Sequence, residues 1–287
     1  MRLGFHVSIE GGFAQAAARA RATHCETVQV FSRSPRTWRA APIHGDDAAA
    51  FREGMSMQAV TPVMVHTPYL LNLGSSERSL GERSARVLGE EMHRGAVLGA
   101  QYVVTHLGGA LEARSRVLRR IARRVDGAVR DSPTEVMLLL ENSAGAGSLV
   151  GAPFAELAAI IAECRCPDRL GVCLDTAHCF AAGYEIRTSE GLEQTLADFD
   201  ATVGLRLLRV LHGNDTKSEL GSHLDRHWHI GRGGIGLDGF RNILCHPKLQ
   251  SLPLIMETPK RTIYDDRRNM RVMNRLREEC QSESTGS

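Results

Sequence analysis

Six short apolar runs of this 287-residue chain each end in a residue that could bind a metal ion. The runs PVMVH, QYVVTH, VMLLLE, GVCLD, LLRVLH and LPLIME end in His66, His106, Glu141, Asp175, His212 and Glu257. His178 follows Asp175 by three residues, and Asp225 and His227 lie in the loop after His212. Imidazole and carboxylate groups without cysteine suit zinc or manganese that performs hydrolysis.

Buried strands must carry these residues to one place. The chain alternates between eight strand-like and eight helix-like segments, which is the pattern of a closed parallel barrel. Strands are predicted at 2–6, 26–31, 61–66, 101–106, 135–141, 169–175, 206–212 and 252–257, and helices at 12–23, 45–58, 79–98, 112–130, 153–164, 189–203, 238–246 and 262–278. The predicted fold is therefore α/β, a (β/α)8 TIM barrel with long βα loops at the C-terminal face, where active sites are built.

Length and composition agree with one barrel domain. Hydrophobic residues make up 43% of the chain but aromatic residues only 5%, which predicts an aliphatic core. We predict a single domain over residues 1–280 and a flexible tail, QSESTGS, over residues 281–287. The net charge of +2 comes from 35 basic and 33 acidic residues, so global charge alone does not indicate a nucleic-acid partner.

The seven cysteines show no regular framework and are typical of reduced thiols in a cytoplasmic protein. Cys164 and Cys166 lack the second cysteine pair that a zinc ribbon needs. The first residues do not form a signal peptide, and no apolar run approaches the length of a membrane span. We therefore expect a cytoplasmic protein without a membrane partner. We also expect it to act as a monomer.

The candidate ligands are too many for one zinc ion, which takes about four. His66, His106 and Glu141 end three successive strands and should be neighbours. The set predicts two or three metal ions with carboxylates bridging them. Adjacent metal ions can activate a water and hold the attacking and leaving oxygens of a displacement at phosphorus.

Longer motifs surround these residues from residue 3 to about residue 258. They are HVSIEGG, FSRSPRTWRAAP, HTPYLLNLG, ENSAGAGS, CLDTAHCFAAGY and DRH. Together they resemble bacterial endonuclease IV, the zinc-dependent apurinic/apyrimidinic (AP) endonuclease family of base-excision repair. The DTAHCFAAGY and DRH stretches are the most specific parts of the resemblance.

The resemblance implies a site for about three Zn²⁺ ions per chain, one of which could be Mn²⁺. It implies His66, His106 and Glu141 on the first metal, Glu141 bridging to a second held by Asp175, His212 and Glu257, and His178, Asp225 and His227 on the third. Glu141 and Glu257 would also position or deprotonate the attacking water. In the family, Leu usually follows the residue that corresponds to His212, whereas this chain has Gly213.

The resemblance also implies the substrate and the residues that open it. The expected reaction is hydrolysis of double-stranded DNA 5′ to abasic sites, which leaves a 3′-hydroxyl and a 5′-deoxyribose phosphate, with trimming of blocked 3′ ends. Arg36, Tyr69 and Leu70 match the family residues that penetrate DNA. Aromatic and aliphatic wedges can unstack base steps, and an arginine can fill the gap left by a missing base.

Two other functions remain open from the residues. A sugar isomerase or epimerase of similar barrel type would use only Glu141, Asp175, His212 and Glu257 around one metal. His66, His106, Asp225 and His227 would then have no purpose. A non-catalytic binder of DNA lesions is the third possibility, and the intact ligand set argues against it.

Overall fold

Eight parallel strands form the closed barrel that the alternating pattern predicts. The computed structural model describes residues 1–285, with side chains through residue 282. The barrel strands are β1 (Arg2–Val7), β2 (Thr27–Phe31), β3 (Val63–His66), β4 (Tyr102–Thr105), β5 (Met137–Glu141), β6 (Leu170–Asp175), β7 (Leu208–His212) and β10 (Pro253–Met256). They run in the order β1-β10-β7-β6-β5-β4-β3-β2, so the fold prediction is confirmed.

Helices surround the barrel and cover the outward side chains of the strands. They are α1 (Phe13–Ala22), α2 (Gly45–Met57), α3 (Arg78–Val97), α4 (Arg114–Arg130), α5 (Phe154–Glu163), α6 (Thr176–Ala182), α7 (Ser189–Thr202), α8 (Gly236–Cys245) and α9 (Ile263–Thr285). Helix α6 was not predicted, and neither was the two-stranded antiparallel hairpin of β8 (Asp215–Thr216) and β9 (His227–Trp228) in the loop after β7.

The alternation of side chains along each strand explains why the candidate ligands share one point. Six strands contribute one residue each to a small apolar cluster inside the barrel: Met64, Val104, Leu139, Cys173, Val210 and Ile255. Side chains two positions apart on a strand point to the same face. Each candidate ligand at a strand end lies two residues beyond one of these interior residues, so all six point inward above the apolar layer.

One prediction about the cysteines is wrong. Cys245, the last residue of α8, forms a disulfide with Cys280 in α9. Helices α8 and α9 pack against each other and place the two Cα atoms 5.2 Å apart, although 35 residues separate them in sequence. The other five cysteines are free thiols, as expected.

The last helix extends into the segment that is predicted to be a flexible tail. Helix α9 continues as far as Thr285, so residues 281–285 of the predicted tail are helical in backbone. The rest of that segment, residues 286–287, lies outside the described residues. None of the helices within residues 1–285 is long and apolar enough to cross a membrane.

Candidate metal centre

Glu141 lies at the centre of the site, at the end of β5, and its side chain is 1% exposed. Its Oε2 atom lies 3.1 Å from His66 Nε2 and 3.5 Å from His106 Nδ1. Its Oε1 atom lies 3.1 Å from His212 Nδ1 and 3.5 Å from His178 Nδ1. The two carboxylate oxygens therefore face different histidines, which is the arrangement a carboxylate needs to bridge two ions.

The first group that could hold a metal ion consists of His66, His106 and Glu141. One donor atom from each residue lies within 4.8 Å of the others. The His66 Nδ1–H donates to the main-chain carbonyl of Thr67 at 2.7 Å. This hydrogen bond fixes the tautomer and leaves the lone pair of Nε2 facing Glu141, as expected of a metal-binding histidine.

The second group consists of Glu141, Asp175, His212 and Glu257. His212 Nδ1 lies 3.3 Å from Glu257 Oε2 and 3.9 Å from Asp175 Oδ2. Asn214 orients the two acids. Its amide donates to Asp175 Oδ2 at 2.6 Å, and its Oδ1 accepts from the Glu257 main-chain N–H at 2.7 Å.

The third group depends on α6 and on the β8–β9 hairpin. Asp175 caps α6 by accepting from the main-chain N–H of His178 at 2.8 Å, which holds the two side chains on the first turn of the helix. Asp175, His178 and His227 could hold one ion. Asp225 lies beside both histidines, with Oδ2 3.2 Å from His178 Nε2 and Oδ1 3.1 Å from His227 Nε2. Asp175 therefore faces both this group and the second group.

The electrostatics of the site favour bound cations. Burial alone would lower the pKa of His178, but the charge of Asp175 and a hydrogen bond to Asp225 raise it to about 10. Burial is likewise overcome at His227, where the same two acids raise the pKa to about 9. Burial would raise the pKa of Glu141, yet neighbouring histidines hold it well below the ordinary value. The carboxylates thus draw positive charge into the site, and metal ions would compete with protons for the imidazoles.

Two further observations indicate that these residues fit metal ions. Asp175, Glu141 and Glu257 bring three carboxylates together in a mostly buried space, and buried charges are otherwise costly unless paired. The buried Nε2 atom of His227 makes no well-aligned hydrogen bond within the described residues, although Asp225 Oδ1 lies 3.1 Å from it. A cation between the histidines and the acids would satisfy both.

Sequence reasoning missed the residues that hold the candidate ligands in place. Gln29 on β2 accepts from His212 Nε2 at 3.0 Å, and its amide donates to Glu257 Oε1 at 2.7 Å. The Asn142 side chain accepts from the Asp175 main-chain N–H at 2.6 Å, and the main-chain carbonyl of Asn142 accepts from His178 Nδ1 at 3.0 Å. The available signals in the sequence were Asn142, which directly follows Glu141, and Asn214, which directly precedes Asp215. His6 on β1 also lies at the site, with Nδ1 3.4 Å from Glu257 Oε1.

Gly213 does not leave the backbone beside His212 loose. Its N–H donates to the carbonyl of Ile255 at 2.8 Å, which ties the end of β7 to β10. A β-carbon at this position would lie 2.8 Å from Leu254 Cγ, inside van der Waals contact. The buried side chain of Leu254 therefore occupies the space in which a larger residue at position 213 would lie.

This contact predicts coupling between the two positions. Gly213→Ala should lower the free energy of unfolding by about 1–3 kcal/mol because the added methyl crowds Leu254. Leu254→Ala alone should cost about 2–5 kcal/mol through the cavity that it creates. The double variant should cost less than the sum, because the new methyl enters that space. Urea unfolding of the four proteins measures the coupling, and strictly additive costs would contradict this packing.

The structure places Tyr69 and Leu70 in the loop after β3, with Tyr69 beside the first group. Tyr69 is 62% exposed, and Leu70 is partly exposed. The Tyr69 ring packs edge-on against Phe31 at 5.4 Å between centroids, and lies 6.1 Å from the His66 ring. An exposed aromatic side chain is thus held next to a candidate metal ligand, where it could contact bound DNA.

Arg36 is exposed in the loop after β2, and a buried network anchors the start of that loop. The Arg33 guanidinium forms an ion pair with the buried carboxylate of Glu91 on α3 and donates to the carbonyl of Trp38 at 3.0 Å. Arg83 lies over the Trp38 ring at 4.5 Å. Both sides of Arg36 are therefore fixed, while its own side chain stays accessible.

Comparison with known proteins agrees with the barrel and with the motifs. A family model described as the xylose isomerase-like TIM barrel matches residues 17–279. A probable endonuclease 4 of Methanosphaerula palustris is 45% identical over 280 residues, which cover 96% of this chain and 98% of the relative. A probable endonuclease 4 of Methanoculleus marisnigri is 44% identical over 272 residues, covering 93% and 94% of the two chains.

Two solved structures share the barrel fold of this chain, and they differ in how similar their sequences are to it. Endonuclease IV from Thermus thermophilus superposes with a TM-score of 0.88 at 36% identity, covering 97% of this chain and 100% of that chain. A D-tagatose 3-epimerase-like protein superposes with a TM-score of 0.76 at 18% identity, covering 99% and 100%. The second likeness shows the fold alone.

Proposed function

We propose that this chain, which belongs to the endonuclease IV family, is a DNA-repair enzyme that hydrolyses the backbone of double-stranded DNA 5′ to abasic sites. The observation that carries the proposal is the convergence of nine candidate ligands on one face of the barrel, in three overlapping groups with Asp225 beside the third. A single-metal sugar isomerase would leave the first and third groups without a role. The family relationship also does not favour that alternative.

We propose about three metal ions per chain, mainly zinc, with manganese possible at one position. His66, His106 and Glu141 would hold the first, Glu141, Asp175, His212 and Glu257 the second, and His178, Asp225 and His227 the third. When bound, such ions polarise the target phosphate and lower the pKa of a water.

The two glutamates of the site would have different roles in the reaction. Glu257 Oε1 accepts from Gln29. The other oxygen, Oε2, faces His212 and is therefore the atom available to orient the water and take its proton. Glu141 keeps both of its oxygens among the histidines and would hold the geometry of the first two groups. Attack at phosphorus breaks the bond to the 3′ oxygen, leaving a 3′-hydroxyl and a 5′-deoxyribose phosphate. Blocked 3′ ends could be removed by the same displacement.

Selection of the lesion would fall to the exposed residues around the site. Extruding an abasic nucleotide costs less than extruding a stacked base. Tyr69 lies beside the first group, and it and the partly exposed Leu70 that follows could enter the helix as wedges, while Arg36 could fill the space of the missing base. We further propose that the protein acts as a monomer in the cytoplasm.

Cleavage of a duplex oligonucleotide with one abasic site tests the proposal. We expect one cut, directly 5′ to the abasic site, and a 3′-hydroxyl end that a DNA polymerase can extend. The same duplex with an intact base is the control and should stay uncut. Absence of cleavage by the metal-loaded protein, together with epimerisation of a ketohexose, would overturn the proposal in favour of the sugar enzyme.

A further inference from the structure

We propose that Gln29 is a positioning residue for the second group, which holds His212 in one tautomer and Glu257 in one orientation. The inference rests on the proposed metal-dependent function. It concerns a residue on β2, a strand that contributes no candidate ligand of its own.

Gln29 occupies an unusual position for a polar side chain. It is fully buried, and it pairs in register with His6 on β1 and with Met64 on β3. Its sequence neighbours Val28 and Val30 belong to the core outside the barrel, so the Gln29 side chain points inward. Six other strands place an apolar residue in this layer, whereas β2 places an amide there. A buried amide is costly unless it is hydrogen-bonded.

The three hydrogen bonds of Gln29 agree with only one orientation of its amide. The Nε2 atom lies 2.7 Å from Glu257 Oε1 and 3.0 Å from His6 Nδ1, and Oε1 lies 3.0 Å from His212 Nε2. Glu257 Oε1 can only accept from Gln29 when ionised, so the amide nitrogen must face it. The amide oxygen then faces His212, whose Nε2 must carry the hydrogen.

This assignment gives His212 the tautomer that the site needs. With the hydrogen on Nε2, the lone pair on Nδ1 faces Glu141, Asp175 and Glu257. His66 and His178 instead present Nε2 to their groups, and a main-chain carbonyl holds the Nδ1–H of each. His212 presents Nδ1 instead. Its Nε2–H donates to the side chain of Gln29, whereas the N–H of His66 and of His178 donates to the backbone.

Gln29 also determines which Glu257 oxygen faces His212. Because Oε1 accepts from the amide, Oε2 is the oxygen that lies 3.3 Å from His212 Nδ1. A partner that holds a ligating imidazole or carboxylate typically changes metal affinity by about 10–100-fold when it is removed. The same side chain thus acts on a candidate ligand and on a candidate proton acceptor.

Two substitutions of Gln29 separate these roles. Gln29→Met keeps the volume and removes every hydrogen bond, so the fold should tolerate it. Gln29→Glu keeps an acceptor for His212 Nε2 but sets a negative charge against Glu257. Val30→Ala is the matched control, because it removes packing from the same strand on the face that points away from the site.

Zinc affinity by chelator competition, kcat and KM on abasic duplex, and thermal stability would be measured for each loaded protein. We expect Gln29→Met to weaken zinc binding at the second group by about 10–100-fold and to lower kcat with little change in KM. Gln29→Glu should lower kcat while retaining zinc better than Gln29→Met. Val30→Ala should lose stability but keep zinc affinity and kcat.

The inference fails if Gln29→Met keeps both the zinc affinity and the kcat of the wild-type protein, or if Gln29→Glu keeps the wild-type kcat. Failure of the proposed function looks different, because the metal-loaded wild-type protein itself would then leave abasic duplex uncut. A loss of stability in Gln29→Met with unchanged zinc affinity and kcat would reduce Gln29 to ordinary core packing.

Discussion

Glu257→Gln should lower kcat on abasic duplex by about 10²–10³-fold or more while the protein still folds and binds DNA. The substitution keeps the shape of the side chain. Its new carbonyl oxygen can accept from Gln29, as Glu257 Oε1 does now at 2.7 Å, and its amide nitrogen then faces the second group. That nitrogen can neither bind a cation nor take a proton from water.

Single-turnover cleavage separates this loss from any change in DNA binding, which is measured by titration of labelled duplex. Glu135→Gln is the control, because it removes the same charge from an exposed residue that precedes β5 at the opposite end of the barrel. Cleavage by Glu257→Gln at a near-normal rate with saturating metal would remove Glu257 from the mechanism.

Replacement of Arg36, Tyr69 and Leu70 by alanine should weaken binding to abasic duplex by about 10²-fold or more. These side chains would replace the stacking lost on extrusion, a contribution of a few kcal/mol, and each 1.4 kcal/mol corresponds to about tenfold in affinity. Metal content and thermal stability should stay close to wild type, because Arg36 and Tyr69 are exposed and Leu70 is only partly buried. Hydrolysis of a small phosphodiester, which needs no base extrusion, should change little.

A double variant supplies the control for that experiment. Arg119→Ala with Met57→Ala removes an exposed arginine and an exposed apolar side chain from the outer helices α4 and α2. It should leave binding to abasic duplex unchanged. Normal kcat/KM in the triple variant would mean that other groups distort the DNA, and loss of metal would mean that Tyr69 supports His66 through their ring contact.

The positions of the candidate ligands could be predicted because two regularities act together. Parallel strands end on one face of a barrel, and residues two apart on a strand share a direction. Leu139 and Glu141 illustrate this, with an interior aliphatic residue followed by an inward carboxylate. The nine candidate ligands were named from sequence, and their roles remain predictions.

The supporting residues could not be found in the same way. Gln29 lies within an apolar strand and has no spacing relation to Glu257, 228 residues away, so only closure of the barrel brings the two together. Helix α6 has seven residues, too few to show a helical period, and its start depends on the capping by Asp175. The pairing of Cys245 with Cys280 likewise depends on the packing of two helices and not on any cysteine motif.

The metal content of the purified protein tests the central claim most directly. Elemental analysis after dialysis against metal-free buffer should find about three metal ions per chain, mainly zinc, because three overlapping groups of donors exceed one tetrahedral shell. Removal of these ions by a chelator should abolish cleavage of abasic duplex, and added zinc should restore it. A single ion per chain in a protein that cleaves at its full rate would contradict the account.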